Sequence, residues 1–239
     1  MDDDARVMQI VAMKAQMPLA LDLRTALLVI DMQGNFVQPT GEFAQVLEKL
    51  VPGATEGYCS RVQSSVLPNV QRLLEEFRKR SLPVFFTATG TQVARGDDLA
   101  CWLRDFDALG MQLIGGKVWP KAGDASWQID KAVAPVDGEL LVNKTAADPL
   151  GCTAIDQSLR NLGVQSVVVC GLTTDVCVSS AARGCADRGY RAVIAADACT
   201  TLSPRMHQAS LDIFQLAFGA VKSTAEIISA LPQAATASV

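Results

Sequence analysis

Histidine is nearly absent from this 239-residue chain, in which His207 is the only one. A Cys-His catalytic pair would therefore have to use it, and a metal site built on several histidines is excluded. The seven cysteines are an odd number and include no Cys-x-x-Cys pair. Neither a disulfide framework nor a zinc ribbon is expected, and a reducing compartment fits best. We expect the protein to bind no metal and to need no cofactor.

Basic clusters and long apolar runs are missing as well. The net charge is -4 and the sequence pI is near 5.0, which argues against nucleic acid and anionic membranes as partners. No apolar run approaches the ~20 residues that a membrane-spanning helix needs. The acidic residues Asp2 to Asp4 are unlike the basic start of a signal peptide. These absences leave a small-molecule substrate as the expected partner and the cytoplasm as the expected location.

The pattern that is present alternates buried strands with amphipathic helices. Apolar runs end near Asp31, Thr87, Lys144, Cys170 and Asp197, and helical stripes lie between most of them. This alternation predicts an α/β fold, a parallel sheet covered by helices on both faces. With 49% hydrophobic and 19% charged residues, the composition suits one large domain. We expect an N-terminal extension over residues 1–22 and a single domain over 23–239.

Two segments lack a clear pattern. Residues from Met32 to about Leu67 contain glycines, prolines and polar residues, and we interpret them as a long active-site connection. Residues from Gly90 to about Pro135 are expected to form an irregular, functional excursion. A later helix is expected to turn Ile155, Leu159 and Leu162 inward.

One stretch organises the rest of the chain. Val167 to Cys170 is an uninterrupted apolar run, typical of a strand buried on both faces, and Gly171 is expected to begin a turn. Helix-starting residues follow at Thr173 to Asp175. Cys177 is thus expected in the first turn of a helix, beyond the carboxyl end of a parallel strand. The helix dipole there favours thiolate over thiol, so Cys177 is a candidate nucleophile.

Three strand ends carry reactive side chains that share one edge of the predicted sheet: Asp31, Lys144 and the turn of Cys177. Each has a plainer interpretation. Asp31 is also suited to cap a turn, and Lys144 to be a solvated charge. Cys177 is equally explained as a small buried hydrophobe. That is how we interpret the other apolar-segment cysteines, Cys152, Cys170, Cys185 and Cys199.

The chain resembles the isochorismatase-like cysteine hydrolases from about Thr25 onward. The resemblance rests on Leu27-Leu-Val-Ile-Asp31-Met-Gln33, on Lys144, and on Gly171-Leu-Thr-Thr-Asp-Val-Cys177. It implies a three-layer α-β-α fold with a six-stranded parallel sheet and a catalytic triad of Asp31, Lys144 and Cys177. It also implies a cis peptide bond at Leu172-Thr173, and an oxyanion hole formed by the backbone N–H groups of Thr173 and Cys177.

Among relatives of this type, the chain is most similar to the branch that acts on ureides: biuret, triuret, N-carbamoylsarcosine and ureidoacrylate. The resemblance to biuret hydrolases is incomplete, because their substrate-binding glutamine falls at Ala217 here. The expected function is cysteine-dependent hydrolysis of a small ureide or carbamoyl compound through an acyl thioester. A nicotinamidase-like amidase, a catalytically idle binding protein and a redox use of Cys177 remain alternatives.

The resemblance implies that Gln33 and Phe36 contact the substrate, and Trp119 and Arg205 are further expected contacts. Phe36 is equally explained by core packing, Trp119 by a subunit interface, and Arg205 by surface solvation. His207 is expected to have a structural or interface role, with a catalytic role as the alternative. The resemblance further implies a homo-oligomer, a dimer or a tetramer.

Overall fold

The computed structural model describes residues 3–233. Within that range the chain forms a six-stranded sheet in which all neighbouring strands run parallel, in the order β3-β2-β1-β4-β5-β6. The strands are β1 (Thr25–Ile30), β2 (Val84–Thr89), β3 (Leu140–Lys144), β4 (Ser166–Leu172), β5 (Arg191–Thr200) and β6 (Ala220–Lys222). The predicted parallel sheet is confirmed.

The topology places a crevice between β1 and β4. From β1 the chain adds β2 and β3 on one side and then crosses to β4 on the other, so the strand order reverses at this point. Ligands in open parallel sheets bind beyond the carboxyl ends of the strands at such a reversal. Asp31 follows β1, Lys144 ends β3, and Cys177 follows β4.

Helices cover both faces of the sheet. They are α1 (Asp3–Ala15), α2 (Gly34–Val37), α3 (Glu42–Leu50), α4 (Glu56–Arg61), α5 (Leu67–Lys79), α6 (Cys101–Leu113), α7 (Pro149–Cys152), α8 (Ile155–Asn161), α9 (Ser179–Asp187), α10 (Pro204–Ala217) and α11 (Thr224–Ala230). Short π-helical turns span Val62–Val66 and Thr174–Val178, and 3-10 turns span Ala125–Trp127 and Lys131–Val133.

Side-chain alternation along β1 explains the three layers. Leu27 and Val29 point into one core, where they join Leu73 of α5. Leu28 and Ile30 point into the other core, with side chains from α8, α9 and α10. A strand buried on both faces needs apolar residues at every position, which is what the uninterrupted run in the sequence predicts.

Residues 3–15 form a helix that the sequence pattern does not reveal. α1 packs on α10 and β6. The Lys14 ammonium donates a hydrogen bond to the carbonyl of Leu216 (2.7 Å), and Lys222 donates one to the carbonyl of Ala15. The expected extension is therefore helical over Asp3–Ala15 and lies against the domain.

The prediction of an irregular backbone is wrong for two segments. Residues between Met32 and Leu67 are largely helical, since α2, α3, α4 and a π-helical turn lie there. The excursion from Gly90 to Pro135 contains the 13-residue helix α6. Glycines and prolines near these segments mark their connections, and the helices between them have apolar stripes. Leu162 is also misplaced in the prediction, because it follows α8 and is 60% exposed.

Gly171 has a different role from the turn that the sequence predicts. It lies inside β4 with a φ of +112°, at an irregularity in the pairing with β5. A Cβ at this position would lie 2.0 Å from the carbonyl oxygen of Ile30. Glycine is thus required for the close approach of β4 to the end of β1, and this approach brings Cys177 toward Asp31.

No helix within residues 3–233 has the length and apolar character needed to cross a membrane.

Candidate active site

Asp31 is the first residue beyond β1, and its carboxylate is completely buried. The hydroxyl of Thr87 donates to Oδ1 (2.7 Å) and the hydroxyl of Thr89 donates to Oδ2 (2.9 Å). The Asp31 backbone has a φ of 49°, in the left-handed region that a non-glycine residue seldom adopts. Such conformations concentrate at functional sites, where the surrounding structure holds them in place.

Lys144, the last residue of β3, connects Asp31 to Cys177. Its Nζ lies 2.9 Å from Oδ2 of Asp31 and 3.2 Å from Sγ of Cys177. It also contacts the Thr89 hydroxyl (2.7 Å) and the carbonyl of Ala146 (3.0 Å). Burial alone would lower the pKa of Lys144, but the Asp31 carboxylate and the Cys177 sulfur outweigh it and raise this pKa above its ordinary value. The side chain is therefore an ammonium ion.

Cys177 lies in the π-helical turn after β4 and is 6% exposed. Burial raises the pKa of the Cys177 thiol to about 12; Lys144 opposes this rise and Asp31 adds to it. This direction favours the thiol at rest, whereas the sequence pattern favours the thiolate. The turn leads into a helix, as the sequence predicts, but burial and the neighbouring Asp31 carboxylate disfavour a second negative charge. The thiol must lose its proton during the reaction, and Asp31 is the adjacent base.

A titration of the thiol tests this protonation state. Because its pKa is raised, the Cys177 thiol is neutral below that pKa, and thiolate forms only as the pH approaches it. We expect the ultraviolet thiolate absorbance of the ligand-free enzyme, after subtraction of Cys177→Ser, to show no step between about pH 6 and 9. A step in that range would mean that Lys144 and the turn outweigh burial.

A cavity of about 260 Å³ opens above the sulfur. It is small relative to the roughly 300–1,000 Å³ of sites for drug-sized ligands, so a small substrate fits. The lining is mainly aromatic and aliphatic: Phe36, Phe43, Leu47, Thr89, Trp102, Leu103, Phe106, Trp119, Thr173, Asp175, Val176, Cys177, Thr201 and Leu202. α3 and α6 supply one wall, and the turn after β4 supplies the floor.

The structure brings two of the four expected substrate contacts to this cavity. Phe36 and Trp119 both line it, with ring centroids 5.8 Å apart. Gln33 does not, because its amide is used in two hydrogen bonds with the backbone of Thr89. Arg205 lies exposed in the first turn of α10 and is not among the lining residues. Contact of Gln33 and Arg205 with the substrate stays a prediction, and their positions outside the cavity lining do not favour it.

Other sequence interpretations can be placed in the same way. Half-buried His207 lies outside the triad, and its Nδ1 is 2.8 Å from the Thr174 hydroxyl. Burial and the nearby Arg61 guanidinium lower the pKa of His207.

Cys152 is exposed, which contradicts its interpretation as a buried hydrophobe. The peptide bond at Leu172-Thr173 is cis, as the resemblance implies. The oxyanion hole formed by Thr173 and Cys177 stays a prediction, and both residues line the cavity.

Sequence reasoning missed three polar residues of the site. Thr87 and Thr89 hold the Asp31 carboxylate, and their spacing of two along β2 was a usable signal, since it places both hydroxyls on one face of a strand. Asp175 lines the cavity, although the sequence suggested only that it starts a helix. Within residues 3–233, no group of three His, Cys, Asp or Glu side chains is arranged to hold a metal ion.

Comparison with known proteins agrees with this geometry. The sequence pattern of the isochorismatase domain matches residues 25–226, which is most of the chain. The chain belongs to the isochorismatase family. Membership in the isochorismatase family makes it a hydrolase, and it confirms the resemblance that the motifs around Asp31 and Cys177 indicate.

Individual relatives of this isochorismatase-family chain are distant. N-carbamoylsarcosine amidase of Arthrobacter sp is 29% identical over 214 residues, covering 88% of this chain and 73% of the relative. Ureidoacrylate amidohydrolase RutB of Methylobacterium radiotolerans is 26% identical, covering 90% and 82%. The crystal structure of a cysteine hydrolase from Pseudomonas syringae has a TM-score of 0.72 at 24% identity, covers 90% of this chain and 95% of that one, and shows the shared fold.

Proposed function

We propose that this isochorismatase-family hydrolase is a cysteine amidohydrolase that cleaves the C–N bond of a small ureide or carbamoyl compound through an acyl thioester. The observation that carries the proposal is the position of the Lys144 ammonium, 2.9 Å from Asp31 and 3.2 Å from Cys177, whose side chain lines a small cavity. The three groups supply a base, a nucleophile and a fixed positive charge in one buried site.

In the first half of the reaction, Asp31 accepts the thiol proton while Sγ of Cys177 attacks the substrate carbonyl carbon. The Lys144 ammonium stabilises the sulfur as it gains negative charge, and it keeps its own proton because its pKa is raised. The carbonyl oxygen becomes an oxyanion, for which the N–H groups of Thr173 and Cys177 are the proposed donors; one such donor commonly contributes ~3 kcal/mol.

In the second half, the tetrahedral intermediate expels its nitrogen. Asp31 returns the proton to this leaving group, so ammonia or an amine departs and the carbonyl carbon stays bonded to Sγ. Asp31 then removes a proton from water as the water attacks the thioester, and the proton passes to the departing sulfur. The acid or carbamate leaves, and the thiol is restored. No histidine is required in either half.

Two observations bear on the substrate. The relatives named above act on N-carbamoylsarcosine and ureidoacrylate, which supports biuret, triuret, N-carbamoyl amino acids and ureidoacrylates as the class to test first. The aromatic lining around Phe36 and Trp119 favours a second candidate, a nicotinamidase-like amidase that acts on an aromatic carboxamide. In either form, the proposal is for a small-molecule substrate and, as the family resemblance implies, a homo-oligomer.

Ammonia release and intact-protein mass together test the proposal. We expect one compound from a panel of biuret, triuret, N-carbamoyl amino acids, ureidoacrylate and nicotinamide to release ammonia or an amine. After acid quenching during turnover, the wild-type protein should carry the mass of the acyl fragment on the peptide that contains Cys177.

The control for this experiment is Cys177→Ser, which should show neither turnover nor thioester mass. If no panel member is turned over and Cys177 is unreactive toward alkylating agents, the catalytically idle alternative is favoured. If turnover occurs with equal rate in Cys177→Ser, the covalent mechanism is wrong.

A further inference from the structure

The lining of the cavity contains one ionisable side chain besides Cys177, that of Asp175. Its Oδ1 is buried and has no hydrogen-bond partner among residues 3–233. Withdrawing a carboxylate oxygen from water without a donor is costly, so buried polar atoms are nearly always paired. The proposed mechanism makes no use of this carboxylate. Asp175 as a whole is only partly buried and lines the cavity, so a ligand there is within reach of its carboxylate and is suited to supply a donor.

The aromatic rings in the same cavity favour the same kind of ligand. The Trp119 ring centroid lies 5.8 Å from those of Phe36 and Phe106, and the Phe43 centroid lies 6.1 Å from that of Phe106. Aromatic faces attract cations, most strongly where water is excluded. The carboxylate of Asp175 is suited to bind an ammonium group, and the aromatic rings are suited to pack against the carbon atoms attached to that group.

Neighbouring cations are already paired. The Lys144 ammonium contacts Asp31 and Cys177 and donates to the Ala146 carbonyl. The Arg61 guanidinium donates to the Thr200 hydroxyl and to the backbone carbonyls of residues 201 and 202, the latter two of which line the cavity. Among the described lining residues there is no lysine, arginine or histidine. A carboxylate on the substrate would therefore meet Asp175 without a cationic side chain among the described lining residues to compensate it.

We propose that Asp175 determines the specificity of the cavity and selects substrates whose far end carries an ammonium or a similar cationic N–H donor. The inference rests on the proposed function and narrows it, because N-carbamoyl amino acids and ureidoacrylates carry a carboxylate instead. Asp175 is two residues before Cys177 in the same turn. A cation held by this carboxylate fixes the distance between the charged end of the substrate and the carbonyl above Sγ.

Binding of three probes of similar shape tests the assignment without requiring turnover. Benzylammonium, benzyl alcohol and benzoate differ in charge but share the ring, and the fluorescence of Trp102 and Trp119 in the cavity wall reports their binding to the wild-type enzyme. Because hydrogen bonds to charged groups are strong, we expect benzylammonium to bind about tenfold or more tightly than benzyl alcohol. Benzoate should bind most weakly of the three.

Two asparagine variants separate a contact with the ligand from a general effect of charge. Asp175→Asn should bring the affinities for benzylammonium and benzyl alcohol to within about threefold of each other. Asp187→Asn removes the same charge from an exposed position at the end of α9 and should retain the wild-type preference. If Asp175 only favours the start of the helix, Asp175→Asn will be less stable but will keep the preference for the cation.

Equal affinities for the three probes in the wild-type enzyme, or tightest binding of benzoate, would overturn the assignment even if Asp175→Asn does not fold. The outcome is distinct from that of the turnover experiment. A preference for benzylammonium without hydrolysis of any C–N substrate would refute the proposed function and leave the role of Asp175 in place. Hydrolysis of an amide by an enzyme that does not prefer benzylammonium would support the proposed function and refute the role of Asp175.

Discussion

Cys177→Ser is expected to lower kcat/KM by about 10⁴-fold or more on whichever substrate the enzyme hydrolyses. Cys177 carries the only thiol among the described residues that line the cavity, and a serine hydroxyl holds its proton far more tightly than a thiol. Asp31 is the proposed base, and a carboxylate is too weak a base to remove the proton of a serine hydroxyl efficiently. Steady-state kinetics with the purified variant measures the loss.

Serines at Cys101 and Cys152 provide the matched controls for this substitution. Both cysteines are exposed and neither lines the cavity, so each variant should keep the wild-type rate. The melting temperature of Cys177→Ser should stay close to that of the wild type, because the hydroxyl can still accept a hydrogen bond from Lys144. A variant that retains a tenth of the activity would exclude Cys177 as the nucleophile.

Lys144→Met is expected to abolish activity and also to destabilise the fold by about 3–5 kcal/mol. The side chains of Lys144 and Asp31 are both fully buried and 2.9 Å apart, so removal of the ammonium leaves the Asp31 carboxylate without its counter-charge. The two threonine hydroxyls still bond to the carboxylate but do not neutralise it. Urea unfolding measures this loss, provided that the slope of the transition does not change.

The double variant Asp31→Asn with Lys144→Met tests the cause of that instability. It removes both charges and keeps similar shapes, so it should be more stable than Lys144→Met alone while remaining inactive. A double variant that loses the sum of the two single effects would show that packing, and not the buried charge, determines the cost. Activity that survives Lys144→Met would exclude the ammonium from the mechanism.

The sheet was predictable from the sequence because its strands are buried on both faces. Continuous apolar runs before Asp31 and before Gly171 predict buried strands, and β1 and β4 lie at these runs. The meeting of the strand ends then follows from the topology of parallel sheets. The helices of the cavity wall were missed for a different reason. In α3, Phe43, Val46 and Leu47 follow a helical stripe, but the glycines and prolines around them obscured it.

The chemistry of the site was less predictable than its location. Local sequence favours a thiolate at Cys177, because it indicates the helix start but not the depth of burial or the side chains around the sulfur. The raised pKa of Cys177 depends on both. Asp175 illustrates the same limit. Its residue type predicts only a helix start, and the unpaired carboxylate oxygen that suggests a role in binding is visible only in the packed structure.

The reacting groups and the aromatic wall of the cavity come from separate parts of the fold. Asp31, Lys144 and Cys177 stand at or just beyond strand ends, and Gly171 allows the close approach of β4 to β1, whereas Phe43 and Trp102 stand on helices inserted between strands. Exchange of α3 and α6 with those of another member of the family should therefore redirect the enzyme to new amides and leave bond cleavage intact. The sheet that carries the reacting groups is therefore a suitable scaffold for directed evolution of amidases.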